Sequence, residues 1–144
     1  MPSAAFNKFY PTVASFVNDG VDFATDQFKV LFSNTLPVDT NAVSTDITQI
    51  ASGGGYTNGA TGGVPVATVS STETAGTYAL ILAATTFTAT GGSVGPFEYV
   101  ILYDATAAAR PLLGWWDYGS AITLNNGDSL VMAFDQVNGV LQLM

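Results

Sequence analysis

From residue 64 onward the chain is cut by glycine, asparagine and proline into apolar runs no longer than a single strand. The runs occupy residues 64–69, 77–82, 85–89, 97–103, 112–116, 121–124, 129–134 and 140–143. Between them stand Thr74-Ala75-Gly76, Gly91-Gly92-Ser93, Gly95-Pro96, Asn125-Asn126-Gly127-Asp128 and Asn138-Gly139. Short runs rich in β-branched and aromatic residues fit a pleated, half-buried surface and read as strands when turn chemistry bounds them. Asn-Gly supplies the positive φ that a two-residue hairpin needs. The pattern predicts an all-β fold, an antiparallel β-sandwich or a jelly-roll-like arrangement, with successive strands pairing as meanders.

Alternation assigns the faces. Phe28, Val30 and Phe32 alternate with Lys29 and Leu31 and are followed by Ser33-Asn34 and Pro37, so a one-sided row of large side chains should face the core. Phe97, Tyr99, Ile101 and Tyr103 fall on one side of their run, with Glu98, Val100 and Leu102 on the other. In 129–134, Leu130, Met132 and Phe134 oppose Val131 and Ala133. Strands apolar on both faces need cover on both, which predicts a docked partner or self-association as a dimer or trimer.

Upstream, Phe9, Val13, Phe16 and Val17 recur at helical spacing, while Asn18-Asp19-Gly20 reads as a hairpin turn. Residues 1–24 are therefore expected as an N-terminal helix, hairpin or assembly-ordered arm. Residues 44–50, Ser-Thr-Asp-Ile-Thr-Gln-Ile, carry cap-like polar residues and predict one short helix. The stretch GGGYTNGATGG at 53–63 has too few side chains to hold regular structure and is expected as a mobile surface loop. A chain of 144 residues can bury a core without disulfides or a structural metal, and one β-rich domain over 1–144 is expected.

Eleven acidic and three basic residues give a net charge of −8, a sign that repels phosphate backbones and anionic lipid; neither nucleic acid nor membrane is an expected partner. No apolar run reaches the roughly 20 residues of a spanning helix, and residues 1–9 lack the apolar core of an export signal. Histidine and cysteine are both absent, which removes imidazole bases, thiolate nucleophiles and the commonest zinc ligands.

The remaining chemistry is thin. Asp19, Asp22 and Asp26 lack calcium-loop spacing and a terminal glutamate, and the glycine-rich 53–63 stretch lacks the order and the lysine of a phosphate loop. No metal and no cofactor is expected. Glu98, Asp104 and Asp117 could serve as an acid and base in glycan cleavage only if two of them faced each other about 5 to 10 Å apart. Asp117 follows Trp115-Trp116 and precedes Tyr118, a set that also fits sugar stacking. The plainer reading puts Trp115 and Trp116 on opposite faces of one strand, one in the core and one against a partner. No catalytic residue is expected, and the residues expected at a partner interface are Trp115, Trp116, Tyr118, Phe97, Tyr56, Phe9 and Tyr10.

Three stretches carry a resemblance. They are TDQFKVLF at 25–32 with Asn34-Thr35 and Pro37, then Gly54-Gly55-Tyr56-Thr57, and Gly95-Pro96-Phe97 through Val100-Ile101-Leu102-Tyr103 to Leu113-Gly114-Trp115-Trp116-Asp117-Tyr118-Gly119. Closed by Gly127-Asp128-Ser129, Phe134-Asp135 and Gly139-Val140-Leu141, their order resembles a family of small tailed-phage virion structural proteins of the head decoration or cement type. That resemblance implies a non-enzymatic capsid-surface subunit with a β-sandwich or jelly-roll core and the phage major capsid protein as partner, with placement on capsid or tail left open. The alternative is a carbohydrate-binding module of a phage tail or fibre, with Trp115, Trp116 and Tyr118 as its platform.

Overall fold

A computed structural model describes residues 4–144. In chain order they form β1 (Asn7–Lys8), α1 (Thr12–Asn18), β2 (Phe28–Ser33), a 3-10 turn (Ser44–Asp46), β3 (Val64–Val66), β4 (Thr68–Thr74), β5 (Thr77–Leu82), β6 (Thr85–Thr88), β7 (Val94–Asp104), β8 (Leu112–Leu124), β9 (Ser129–Met132) and β10 (Leu141–Leu143). The architecture is an all-β sandwich. One layer is a five-stranded antiparallel sheet in the order β1-β8-β7-β2-β3; facing it lie a three-stranded sheet, β10-β5-β4, and a two-stranded one, β6-β9.

Phe28, Val30 and Phe32 of β2 all turn into the space between the layers, as their alternation predicts, and are fully buried. Phe32 sits at the centre, stacked on Phe97 at 4.3 Å and on Tyr56 at 5.2 Å, with Phe87 of β6 edge-on at 5.4 Å. Leu80, Leu82, Leu130, Met132 and Leu141 close this main core from the opposite layer. A smaller core of Phe9, Leu31, Ile47, Ile101, Tyr103 and Leu112 covers the other face of the five-stranded sheet. That second cluster explains why β2 and β7 are apolar on both sides: the chain's own segments before β2 and between β2 and β3 supply much of the cover that the sequence assigned to a partner.

Several local expectations are corrected. The two runs at 112–116 and 121–124 form one strand, because the β7–β8 ladder continues through polar Asp117, opposite Tyr99, to Ile122, opposite Phe97. Successive strands pair at β4–β5 and β7–β8 through short turns and at β2–β3 across a long connection; β2 also pairs with β7, β6 with β9, β5 with β10 and β1 with β8, far apart in sequence. Neither Asn-Gly closes a hairpin, since the turns at 125–128 and 138–139 lead from one sheet to another. Residues 6–23 include a helix of seven residues, the helical one of the readings their sequence left open, and the helix expected at 44–50 shrinks to one 3-10 turn.

The glycine-rich 53–63 stretch is tied down along its length. Gly53 and Tyr56 exchange both backbone bonds, Gly63 N–H donates to Thr57 O at 2.8 Å, and the carbonyls of Gly59, Ala60, Thr61 and Gly62 accept from Gln49, Ser44, Lys29 and Tyr103. Gly54 shows why glycine is needed: at φ +59°, any Cβ would lie 2.9 Å from the carbonyl oxygens of Gly92 and Ser93. Among the described residues no helix is long and apolar enough to cross a membrane.

Candidate docking site

The expected interface residues separate into core and surface. Phe9 and Phe97 are fully buried and Tyr56 nearly so, and none of the three offers surface to a partner. The strand phase misplaces Phe97, because register shifts on either side of it move its ring to the face shared by Val100 and Leu102. Tyr56 is drawn inward by the Gly53–Tyr56 pair. Its hydroxyl accepts from Phe32 N–H at 3.1 Å and donates to Gln49 Oε1 at 3.0 Å, and burial pushes its pKa up to about 12. Phe9 anchors the smaller core between β1 and α1. Tyr10, next to it, remains 67% exposed.

Trp115 and Trp116 point to opposite faces of β8, as successive strand residues must. Both are half-buried, so the expected split into one core and one outward indole is replaced by two indoles each packed along one side. Trp116 lies across from Val100 and takes the rings of Phe6 at 5.1 Å and Phe134 at 5.5 Å. Gly114, one turn of the pleat away, makes room for Phe6, since a Cβ there would overlap that ring.

Around Trp116 the two layers part into a groove of ≈ 770 Å³, lined by Ala4, Phe6, Val100 and Tyr118 on one side and by residues 130–135, Gly139 and Val140 on the other. Val131 stands half-exposed on its wall. Asp135 is the charged residue of the lining, and its charge is spent locally. Its carboxylate accepts from the backbone of Asn138 and Val137 and from the Asn138 amide, which together hold it below the usual carboxylate range. No family model matches the chain, and neither does any curated protein or solved structure.

The opposite face carries a second, smaller group. Tyr99 meets Trp115 edge-on at 5.9 Å, and Asp117 lies across the ladder from Tyr99. Glu98 sits next to Asp117 in hydrogen-bonding contact, and desolvation followed by that neighbour raises its carboxyl above the usual range. Of the three candidate carboxyls, Glu98 and Asp117 are the two that lie together, on adjacent strands. Asp104 stands six residues further along β7, about 20 Å away at the rise of an extended strand. Asp104, Glu98 and Asp117 are thus not gathered into one site.

Sequence reasoning found Trp116 and Tyr118 but missed Phe6, Phe134 and Val131, which complete the groove. Phe134 reads as the last residue of a strand, yet β9 ends at Met132 and the chain bends so that Phe134 reaches Trp116. A run of apolar residues carries no signal for that bend.

Proposed function

We propose that the chain is a virion structural protein of a tailed phage, a capsid decoration or cement subunit that binds and stabilises the lattice of the major capsid protein and turns over no substrate. The observation that carries this reading is the aromatic groove around Trp116. It is apolar, open, and lined by a single carboxylate already occupied within its own turn. Clefts of this composition bury anchoring side chains of a protein partner, and aromatic residues dominate the energetics of such contacts. A net charge of −8 fits a protein-facing role better than one on phosphate or anionic lipid. Repetition over a symmetric lattice makes modest affinity per subunit sufficient, and self-association as a dimer or trimer would add to it. The proposed location is the capsid surface.

A second reading rests on a different face. Tyr99 and Trp115, flanked by the Glu98 and Asp117 carboxyls, combine stacking surface with hydrogen-bond acceptors, the elements of a carbohydrate-binding module on a tail or fibre. The two readings separate by experiment. Purified protein mixed with phage heads that lack it should cosediment to a saturating ratio under the capsid reading. Saccharide-dependent quenching of tryptophan fluorescence, lost in Trp115→Ala and kept in Val131→Lys, would favour the glycan module instead.

A further inference from the structure

Asp104 is the one acidic side chain among the described residues with no exposed surface, and it is incompletely satisfied. Its Oδ1 accepts the backbone N–H groups of Thr106 at 2.8 Å and Ala107 at 3.0 Å; its buried Oδ2 has no donor at all. The group within hydrogen-bonding reach is the carboxyl of Asp26, itself an acceptor, from Asp22 N–H at 2.7 Å. Asp26 is half-buried, and two carboxyl acceptors facing each other form a bond only if one holds a proton.

Among the described residues, the elements around the pair supply no cation to replace that proton. From β2, the residue opposite Asp104 is Phe28; from the start of β8 the neighbour is Pro111, whose carbonyl accepts the Asp104 N–H at 3.0 Å. Lys29 is engaged elsewhere, donating to Thr61 O, and Arg110, at the far end of the turn after β7, acts on Tyr103 and donates to Ala108 O. Asp22 spends its own carboxylate on Ala24 N–H.

We propose that Asp26 and Asp104 form a proton-operated clasp: one proton shared between the two carboxyls fastens the segment leading from α1 into β2 to the end of β7. The joint has two further members that the clasp holds in register, Ala105 N–H to Gln27 O at 2.9 Å and Gln27 N–H to Thr106 Oγ1 at 2.8 Å. Burial, then the Asp26 carboxyl, raise Asp104 to about 7, against the opposing pull of the Ala107 and Thr106 N–H groups. A carboxyl raised in the fold binds its proton there at a pH where the unfolded chain has released it. The stability it contributes is therefore complete below about pH 4 and is lost as pH rises through about 7. Above that range two negative charges share a site with no donor between them, and the proton has gone to solvent.

The inference is independent of what the groove around Trp116 binds. It is tested by following the Asp104 side-chain carboxyl carbon by NMR, with thermal unfolding of the wild type and Asp104→Asn, from pH 5 to 8.5. In that variant the amide oxygen can still accept from Thr106 and Ala107, while the amide nitrogen donates to Asp26 without a titrating proton. The expected results are a carboxyl titration near neutrality, a wild-type Tm that falls across the same range, and a flatter, higher curve for Asp104→Asn at pH 8. Amide exchange at Ala105 and Gln27, whose N–H groups close the joint, should quicken about tenfold more than their intrinsic rates between pH 6 and 8 in the wild type. A carboxyl titration centred below pH 5, or a pH-dependent fall in Tm that persists in Asp104→Asn, would overturn the clasp. So would millimolar calcium chloride raising the wild-type Tm at pH 8 but not that of Asp104→Asn, which would make the pair a cation site. If Asp104→Asn does not fold, the wild-type carbon titration decides alone.

Discussion

Trp116 touches Phe6 on one side and Phe134 on the other, so its substitution reports on packing and docking together. Truncation to alanine in a half-buried aromatic cluster should cost about 2 to 3 kcal/mol, below the ~3–5 kcal/mol of a fully buried site, measured as a shift in the denaturant midpoint. Val131 separates the two roles. It is 50% exposed on the groove wall, so Val131→Lys should change stability by less than about 0.5 kcal/mol and still abolish capsid binding in cosedimentation. Retained binding would remove the groove as the docking surface. Gly114→Ala tests the local architecture: its new Cβ collides with Phe6 and with Asn7 O at 2.7 Å. It should displace β1 from β8, lower stability by about 1 to 3 kcal/mol and expose residues 4–8 to limited proteolysis. At this scale the sequence makes Trp116 and Tyr118 legible, because aromatic residues beside a turn stand out. It hides the roles of Phe97 and Tyr56, since a bulge and a pair of backbone bonds decide which way those rings face.

Among the elements, those whose signals are local match their expectation most closely. Strand β5 keeps its predicted bounds and β2 extends its run by one residue, each being an apolar stretch closed by turn chemistry. Strand β8 was split in the sequence because Asp117, Gly119 and Ser120 interrupt its apolar pattern; the ladder to β7 carries it across the gap. The N-terminal region shows how packing overrides composition. As an arm that orders on docking, residues 1–18 should be removable without loss of β-domain stability. The structure instead gives Phe9 a fully buried place and binds Thr12 Oγ1 to Leu112 O at 2.8 Å. Deleting residues 1–18 should therefore lower the unfolding temperature, and Phe9→Ala alone should cost about 3 to 5 kcal/mol in chemical denaturation. A truncated chain with unchanged thermal unfolding would return the segment to the status of an arm.

For the whole molecule, the two cores account for much of its two-sided apolar strands; the partly buried aromatics Phe6, Trp116, Tyr118 and Phe134 line the groove, while the exposed large hydrophobics other than Val131, among them Tyr10, Val17 and Val137, are scattered over the rest of the surface. The sandwich class was readable from alternation and turns, whereas the pairing of distant strands was not, because either edge of either sheet can accept a strand of the same composition. The groove was unreadable for the same reason: it joins Phe6 near the N-terminus to β8 and residues 130–140 near the other end of the chain. The measurement that bears most directly on the central claim is cosedimentation of the purified protein with phage heads lacking it, scored for stoichiometry against the major capsid protein. Saturation at a fixed ratio, lost in Val131→Lys, is the predicted result; absence of saturable binding by the wild-type protein would contradict it.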